Sequence, residues 1–365
     1  TALDNGDAAD ALTITISAGT ADISNLVSLN GKTNIAVVAT ATNAITDTTN
    51  IGANLTTAGI TWGATPTITT GTAATFTSDQ TSHVVAAGNI ADDTTLTLAG
   101  SAIFTVTGLV GDIASTSTGG MAVTLASVAT STVAFGTDTT GTHTVNANAL
   151  TNGQELTLTG SDIGAVTLVG GDLDASTYAG VLTVTATSGT NEIKVGSAGS
   201  TVTGGAGADT ITLGNGIDTL KRNGDGSTDG SDTVSGFSVT TETDVIDLIT
   251  NGATDSVTGY AELATGTINT GTAMLVYTAN DLTSADEAGI ENIFDGTTAN
   301  LQLAAASDVL YLAASDGTHT YIFEIVAAAG NAEFTAAEDA ATLMITLNGI
   351  TDASTLSGAN FLDFA

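Results

Sequence analysis

Apolar and polar residues alternate in short runs through most of this 365-residue chain. The runs consist mainly of Val, Ile, Leu and Thr, and Gly, Asn, Asp or Ser interrupts them at intervals of roughly 9 to 16 residues. Alternation with a period of two predicts short β-strands that bury one face. We therefore expect an all-β chain, with its first strands near residues 12–16 and 35–38.

A long internal repeat, with a period of about 60 residues, lies in the middle of the chain. Positions 82–141 align with positions 142–201 without a gap, so that His83 matches His143. Two architectures are compatible with such a unit: a parallel β-solenoid that coils three times, or a small β-sandwich of about seven strands. Aromatic residues make up only 4% of the chain, which favours the solenoid, whose coils would be about 4.8 Å apart.

A period of nine residues begins inside the second unit and continues beyond it. Residues 204–212 and 213–221 are one full and one near copy of the pattern G-G-x-G-x-D-x-U-x, where U is a large aliphatic residue. Two such nonapeptides would make one coil. The phase breaks at residues 222–229, which we interpret as a loop inserted into the last coil. The aliphatic residues in this phase are Val184, Ile193, Val202, Ile211 and Leu220.

The glycine turns of these repeats predict calcium sites. Glycine permits positive φ in a tight turn, and aspartate supplies the hard anionic oxygen that calcium prefers. We expect Asp209 and Asp218 on opposite edges of the coil, with Asp218 facing Asp232 and Asp209 facing the inserted loop. The predicted metal-binding residues are Gly204, Gly205, Gly207, Asp209, Gly214, Gly216, Asp218, Asp225, Asp229, Asp232 and Asp247.

At these residues the chain resembles the repeats-in-toxin (RTX) proteins, which bind calcium and leave bacteria by type I secretion. Residues 231–248 are similar to the segment that closes the calcium β-roll of such proteins, and residues 350–365 are similar to their uncleaved C-terminal signals. Residues 173–186 resemble Gram-negative surface-layer proteins. The resemblance implies Ca²⁺ as cofactor, the type I secretion machinery as partner, and an extracellular location on the bacterial cell surface.

The pattern changes after residue 249. Ser284 followed by Glu287 is a capping box that predicts a short helix. Strands are expected near residues 308–312, 320–326 and 343–347, with a helical turn near 336–339. A small mixed α+β domain of this kind would cap the open end of a solenoid and protect its unpaired edge.

The predicted fold is therefore a parallel β-solenoid or β-roll with nonapeptide calcium repeats and a small C-terminal domain. Its domains are a degenerate repeat region (1–81), two tandem repeat units (82–201), a calcium β-roll (202–248) and a C-terminal capping and type I secretion domain (249–365).

Charge and composition narrow the function. The chain carries 38 acidic and 4 basic residues, a formal net charge of −34. A nucleic-acid partner is therefore not expected, because binding phosphate requires a basic surface. Cysteine is absent, which excludes disulfides, thiol catalysis and cysteine-based zinc sites. No apolar run reaches about 18 residues, so no transmembrane segment is expected.

The start of the chain has two interpretations. It begins at Thr1, with neither Met nor a signal peptide. It is either a processed piece of a longer protein or an export substrate whose signal lies at its C-terminus.

Catalysis has little support in the sequence. Two of the three histidines, His83 and His143, occupy the same position of the repeat, and no H-E-x-x-H motif is present. We therefore expect a protein that is not an enzyme. Asp112 and Asp172 also share a repeat position, where they are either turn aspartates or ligands of a second calcium site.

Two functions remain. In the first, the protein is a structural subunit of a surface layer or extracellular matrix that packs laterally against copies of itself, with a cell-surface glycan as a further candidate partner. In the second, it is the C-terminal calcium-folding and export module of a larger adhesin or secreted enzyme. Tandem repeats favour the first, because they build extended surfaces.

Overall fold

The structure is a computed structural model whose chain divides into two compact units. Unit 1 comprises residues 1–167 and 177–181, and unit 2 comprises residues 168–176 and 182–365. The residues that the structure describes are 13–16, 37–41, 45–46, 60–62, 67–69, 74–78, 82–88, 90–136, 141–222, 229–240, 242–248, 259–268, 274–294, 301–303, 310–326, 334 and 339–362.

Unit 1 is a parallel β-solenoid. Its strands are β1 Thr13–Ile16, β2 Val37–Ala41, β3 Ile45–Thr46, β4 Ile60–Trp62, β5 Thr67–Thr69, β6 Ala74–Ser78, β7 Ser82–Ala86, β8 Thr95–Gly100, β9 Ile103–Leu109, β10 Asp112–Ser117, β11 Met121–Leu125, β12 Thr130–Ala134, β13 Thr142–Asn146, β14 Glu155–Thr159 and β15 Ile163–Leu168. One sheet has the order β14-β12-β10-β8-β6, a second β15-β13-β11-β9-β7-β5-β3, and a small sheet β1-β2-β4. Consecutive strands from β5 onwards alternate between the two larger sheets, so each pair makes one coil.

The coil explains the period of the long repeat. His83 lies beside Phe104, Phe104 beside Met121, and Met121 beside His143 in adjacent parallel strands. Each of these steps advances the chain by one coil, so three coils carry it from His83 to the equivalent His143. The expected three coils are therefore confirmed for the first repeat, residues 82–141, and the β-sandwich is excluded for this region.

Unit 2 begins with shorter strands. The strands of this unit are β16 Asp172–Asp174, β17 Leu182–Ala186, β18 Glu192–Lys194, β19 Thr201–Thr203, β20 Thr210–Thr212, β21 Thr219–Lys221, β22 Asp232–Ser235, β23 Val245–Asp247, β24 Tyr260–Leu263, β25 Gly266–Ile268, β26 Met274–Tyr277, β27 Leu301–Leu303, β28 Leu310–Ser315, β29 His319–Val326 and β30 Ala340–Asn348. One sheet has the order β24-β26-β28-β29-β30-β22-β20-β18-β16, a second β23-β21-β19-β17, and β25 pairs with β27.

The nine-residue period sets the first coils of unit 2. Val184, Val202 and Leu220 stack in one sheet, and Ile193 stacks with Ile211 in the other, so each partner lies two nonapeptides further along the chain. These five side chains are at most 1% exposed, so the aliphatic position of each nonapeptide forms the core. Two nonapeptides make one coil, as the sequence predicts.

The next coils are longer. Ile211 pairs with Val234 in one sheet, and Leu220 pairs with Ile246 in the other, so each of these two coils contains more residues than two nonapeptides supply. The extra residues include the segment 222–229 that was expected to be an insertion, although residues 223–228 lie outside the described part of the chain.

Three antiparallel strands follow the solenoid. β28 pairs with β29 and β29 with β30, while β30 runs parallel to β22 and extends the sheet of the coils. Helix α1, Glu287–Phe294, buries Ile290, Ile293 and Phe294 in a core shared with these strands. The strands lie close to the predicted positions, whereas most of the predicted helical turn near 336–339 lies outside the described residues.

The predicted N-cap of α1 is wrong. The helix begins at Glu287, and the Asp286 carboxylate accepts a hydrogen bond of 3.0 Å from the Gly289 backbone N–H. Ser284 instead donates to Asp286 at 2.5 Å. Asp286 caps the helix because it directly precedes the first helical residue, from which its side chain reaches the third N–H.

The last described residues pack on the end of the second sheet of unit 2. They form two 3-10 turns, Ala353–Thr355 and Gly358–Asn360. Phe361 makes a parallel bridge to Ile246, and the Asn360 side chain donates to the Asp244 carbonyl at 3.0 Å. Because Asn360 and Phe361 are at most 1% exposed, this segment is an integral part of unit 2.

Candidate metal centre

Asp209 directly precedes strand β20, where the polypeptide turns from one sheet into the other. Its side chain is 1% exposed, because the glycine turn folds over it. Oδ1 accepts a hydrogen bond of 2.8 Å from the Asn191 backbone N–H, one coil earlier. Oδ2 is buried and has no hydrogen-bond partner among the described residues. One oxygen of this carboxylate therefore joins the coils, and the other has no hydrogen-bond partner in the described structure.

Asp218 repeats this arrangement on the opposite edge of the coil, directly before β21. It is fully buried, and its Oδ1 accepts a hydrogen bond of 2.6 Å from the Ser200 backbone N–H. Its Oδ2 likewise has no hydrogen-bond partner among the described residues. Since β20 and β21 belong to different sheets, the expected placement of Asp209 and Asp218 on opposite edges is confirmed.

The glycines of the motif make room for these carboxylates. A Cβ on Gly204 would lie 2.5 Å from Oδ2 of Asp209. Gly207 has φ of +130°, and a Cβ there would lie 1.7 Å from the Gly189 carbonyl oxygen of the preceding coil. Side chains would therefore collide with the carboxylate or with the neighbouring backbone. The glycines at which a Cβ would come within 1.7–2.6 Å of another atom include Gly204, Gly205, Gly207, Gly214 and Gly216.

Burial makes both carboxylates costly to ionise without a cation. It raises the pKa of Asp209 to about 6, although the Asn191 N–H opposes the rise. It raises the pKa of Asp218 to about 7, and the nearby Asp244 carboxylate contributes to the rise. A metal ion beside the free oxygens would favour the charged forms, because an opposite charge stabilises a carboxylate.

Each aspartate belongs to a column of residues in consecutive coils. The Asp209 column is Asn191, Asp209 and Asp232, because the Asp209 N–H donates to Oδ1 of Asp232 at 3.1 Å. The expectation that Asp218 faces Asp232 is therefore wrong. The inserted residues bring Asp232 over Asp209, because Thr210 and Thr233 are paired at the starts of β20 and β22.

The Asp218 column is Ser200, Asp218 and Asp244. Asp244 is fully buried and accepts hydrogen bonds from the backbone N–H groups of Asp218 at 2.8 Å and Ser238 at 2.7 Å. The predicted ligand set omitted Asp244. Its spacing would have identified it, since Asp244 lies two positions before the buried Ile246 just as Asp218 lies two before Leu220.

The remaining predicted aspartates have different surroundings. Asp247 lies in β23, with Oδ2 3.6 Å from Lys221 Nζ. Asp229 is 7% exposed beside the Asp209 column, where its N-terminal neighbours are not described. Asp225 lies outside the described residues. Their role as ligands stays a prediction.

Asp112 and Asp172 are strand residues rather than turn residues. They begin β10 and β16, and each accepts a hydrogen bond from a backbone N–H of the next coil, Thr132 at 2.7 Å and Glu192 at 2.9 Å. The two repeats thus share, at this position, a hydrogen bond that joins one coil to the next.

The two repeated histidines face the core. His83 and His143 are each 1% exposed, and burial lowers the pKa of His83 to about 4. His143 stacks on Phe135, with ring centroids 4.2 Å apart, and its Nε2 lies 2.8 Å from Oδ2 of the buried Asp162. The position of the first repeat that corresponds to Asp162 is Ala102, so this pair exists only in the second.

The described residues and the known proteins supply three negative results. In the described part of the chain, no three or more His, Cys, Asp or Glu side chains are arranged so that they could hold a metal ion, and none of its helices is long and apolar enough to cross a membrane. Comparison with protein-family models, curated proteins and solved structures finds no match.

Proposed function

We propose that the protein is a calcium-binding structural subunit of a bacterial cell surface. The observation that carries this proposal is the pair of buried carboxylate oxygens, Oδ2 of Asp209 and of Asp218, that have no hydrogen-bond partner among the described residues. Each lies in a glycine turn whose backbone is packed too closely for side chains. The donor set fits calcium, which accepts carboxylate and backbone carbonyl oxygens in flexible geometry.

In this proposal calcium is held by Asp209 and Asp218 with carbonyl oxygens of the adjoining glycine turns. Calcium would supply positive charge at two places where the fold buries negative charge. Because the ligands come together only in the folded coils, the stability of the folded state rises with calcium concentration. Calcium-rich surroundings outside the cell would therefore favour folding after export through the type I secretion machinery.

A structural role is supported by the histidines and by the repeats. His83 and His143 are directed into the core, where they contribute to packing rather than to a surface site. Stacked parallel coils present extended faces, which suit lateral packing of identical copies. At a net charge of −34 such copies repel one another, so we expect divalent ions to bridge carboxylates between them.

The experiment is light scattering and electron microscopy of the purified chain titrated with millimolar calcium. Sodium chloride at matched ionic strength is the control, because it screens charge without bridging carboxylates. Sheets or filaments that form with calcium alone would support the surface-layer or matrix function.

The alternative is the C-terminal folding and export module of a larger adhesin or secreted enzyme. It is favoured by one observation: residues 351–362, part of the segment similar to type I signals, are packed onto β23 at the end of the Asp218 column. A monodisperse monomer that folds with calcium but does not assemble in either salt would favour this function instead.

A further inference from the structure

Arg222 is a buried cation beside two carboxylates of the Asp209 column, Asp209 and Asp232. Its side chain is 1% exposed. Nη1 donates to Oδ2 of Asp232 and to the Met344 carbonyl, both at 2.9 Å, and Nη2 donates to the Gly230 carbonyl at 2.8 Å. Arginine presents several fixed donors and remains charged when buried. The guanidinium thus joins the last aspartate of the Asp209 column to strand β30.

The two carboxylates of this column differ in one respect. Both have Oδ1 occupied by a backbone N–H of the neighbouring coil. Oδ2 of Asp209 has no hydrogen-bond partner among the described residues, whereas Oδ2 of Asp232 is bonded to Arg222. The arginine therefore occupies, at Asp232, the side of the carboxylate that is left for a cation at Asp209.

We propose that Arg222 is a built-in cation that replaces calcium at the Asp232 end of the Asp209 column and holds β30 against β22 without metal. The first part of this inference rests on the proposed calcium function, and the second does not. A calcium ion at Oδ2 of Asp232 would have to displace the guanidinium and would be repelled by it. Asp232 is then an internal partner of Arg222 rather than the metal ligand that the sequence predicts.

If Arg222 has this role, two parts of unit 2 differ in whether they need calcium to stay folded. The coils at β20 and β21 would depend on the metal because no cation is bonded to Oδ2 of Asp209 or of Asp218 in the described structure, although the charge of Arg222 also lowers the pKa of Asp209. The junction between β22 and β30 does not, because Arg222 binds Asp232 on one strand and the Met344 carbonyl on the other. The antiparallel strands β28 to β30 would therefore stay attached to the last coil when calcium is removed.

The test is hydrogen exchange of the full chain, followed by mass spectrometry, in calcium and in chelator. In the wild type we expect peptides of β20 and β21 to exchange at least about tenfold faster in chelator, and peptides of β30, which pairs with β22 and β29, to be unchanged. In Arg222→Met, β30 should also exchange at least about tenfold faster in chelator, because removing one partner of a buried ion pair leaves the other charge uncompensated. Calcium should restore its protection by taking the vacated position. Lys194→Met is the control, since Lys194 is 33% exposed and pairs with the exposed Glu192 rather than with a buried carboxylate, and it should behave as the wild type.

Two results would overturn the inference: loss of β30 protection in wild-type protein on chelation, or exchange of β30 in Arg222→Met equal to that of the wild type. If the chelator does not change the exchange rates of β20 and β21 in the wild type, the proposed calcium function is wrong. The comparison of Arg222→Met with the wild type still tests whether Arg222 holds the junction between β22 and β30 without metal.

If Arg222→Met does not fold, a second variant still tests the inference. Arg222→Met combined with Asp232→Asn removes both charges, so it should fold and should show no calcium effect at β30. A double variant as unstable as Arg222→Met would contradict the role of charge, because removing the uncompensated Asp232 charge would then bring no relief.

Discussion

The backbone N–H of Asn191 donates a hydrogen bond to Oδ1 of Asp209, which lies one coil further along the chain. Ser200 and Asp218 make the same bond across the same sequence separation on the other edge. One carboxylate oxygen on each edge thus fixes the spacing of the coils and leaves the second oxygen buried and without a hydrogen bond in the described structure. The Asp209 and Asp218 carboxylates thus lie between neighbouring coils, where a bound cation would hold the coils together.

Gly204→Ala is expected to weaken calcium binding at Asp209 by about tenfold or more. The new Cβ would lie 2.5 Å from Oδ2 of Asp209, so the carboxylate would have to rotate away from its position. Gly88→Ala is the control, because its Cβ would meet only the Gly108 carbonyl at an ordinary 3.4 Å. Isothermal titration calorimetry checks the prediction, and equal affinities in the two variants would contradict it.

Ile211→Ala should lower the free energy of unfolding by about 2–5 kcal/mol, the usual cost of removing a buried aliphatic side chain. Ile211 is completely buried between Ile193 and Val234 in neighbouring strands. Ile217→Ala should change it by less than about 0.5 kcal/mol, since Ile217 is 60% exposed. Urea unfolding in saturating calcium measures the free energies of unfolding of both variants. A large decrease in Ile217→Ala would contradict the prediction, because it would show that Ile217 is buried.

His83 should make the protein less stable in acid. Burial lowers its pKa from 6.5 to about 4 in the folded state. Between these values the unfolded chain binds the additional proton, so the contribution of His83 is fully present above pH 6.5 and is lost as the pH falls towards 4. The contribution of His83 to the free energy of unfolding that is lost over this pH range is up to about 3 kcal/mol.

His83→Phe is therefore expected to lose less stability than the wild type between pH 6.5 and pH 4.5, as measured by urea unfolding. The wild type measured over the same pH range is the reference. If the stability of His83→Phe and of the wild type fell in parallel with pH, protonation of His83 would not lower the free energy of unfolding, and the prediction would be wrong.

The coils could be predicted because burial repeats along the chain. An aliphatic residue at every ninth position reaches the core only if the chain turns at the same interval, which places Ile193 above Ile211 and Val184 above Val202. The same argument places Asp209 and Asp218 on opposite edges. The long repeat likewise requires a whole number of coils, because His83 and His143 must face the same way, and the intervals between its strands set that number at three.

Other features depended on distances that the sequence does not contain. The course of the insertion decides whether Asp232 meets Asp209 or Asp218, and the number of inserted residues does not reveal that course. The Arg222 contact with the Met344 carbonyl joins positions that are far apart in the sequence, and no local pattern indicates it. The pair of His143 and Asp162 joins adjacent coils of the second repeat through a residue that has no counterpart in the first.

The most direct test of calcium binding in the glycine turns is native mass spectrometry of the chain in micromolar to millimolar calcium. Wild-type protein should bind calcium, Asp209→Asn and Asp218→Asn should each lose part of it, and the double variant should lose both contributions. Asp112→Asn is the matched control, because its carboxylate joins adjacent coils through Thr132 without a buried free oxygen, and it should bind as the wild type does. Equal calcium stoichiometry in the wild type and the Asp209→Asn and Asp218→Asn double variant would contradict the proposed site.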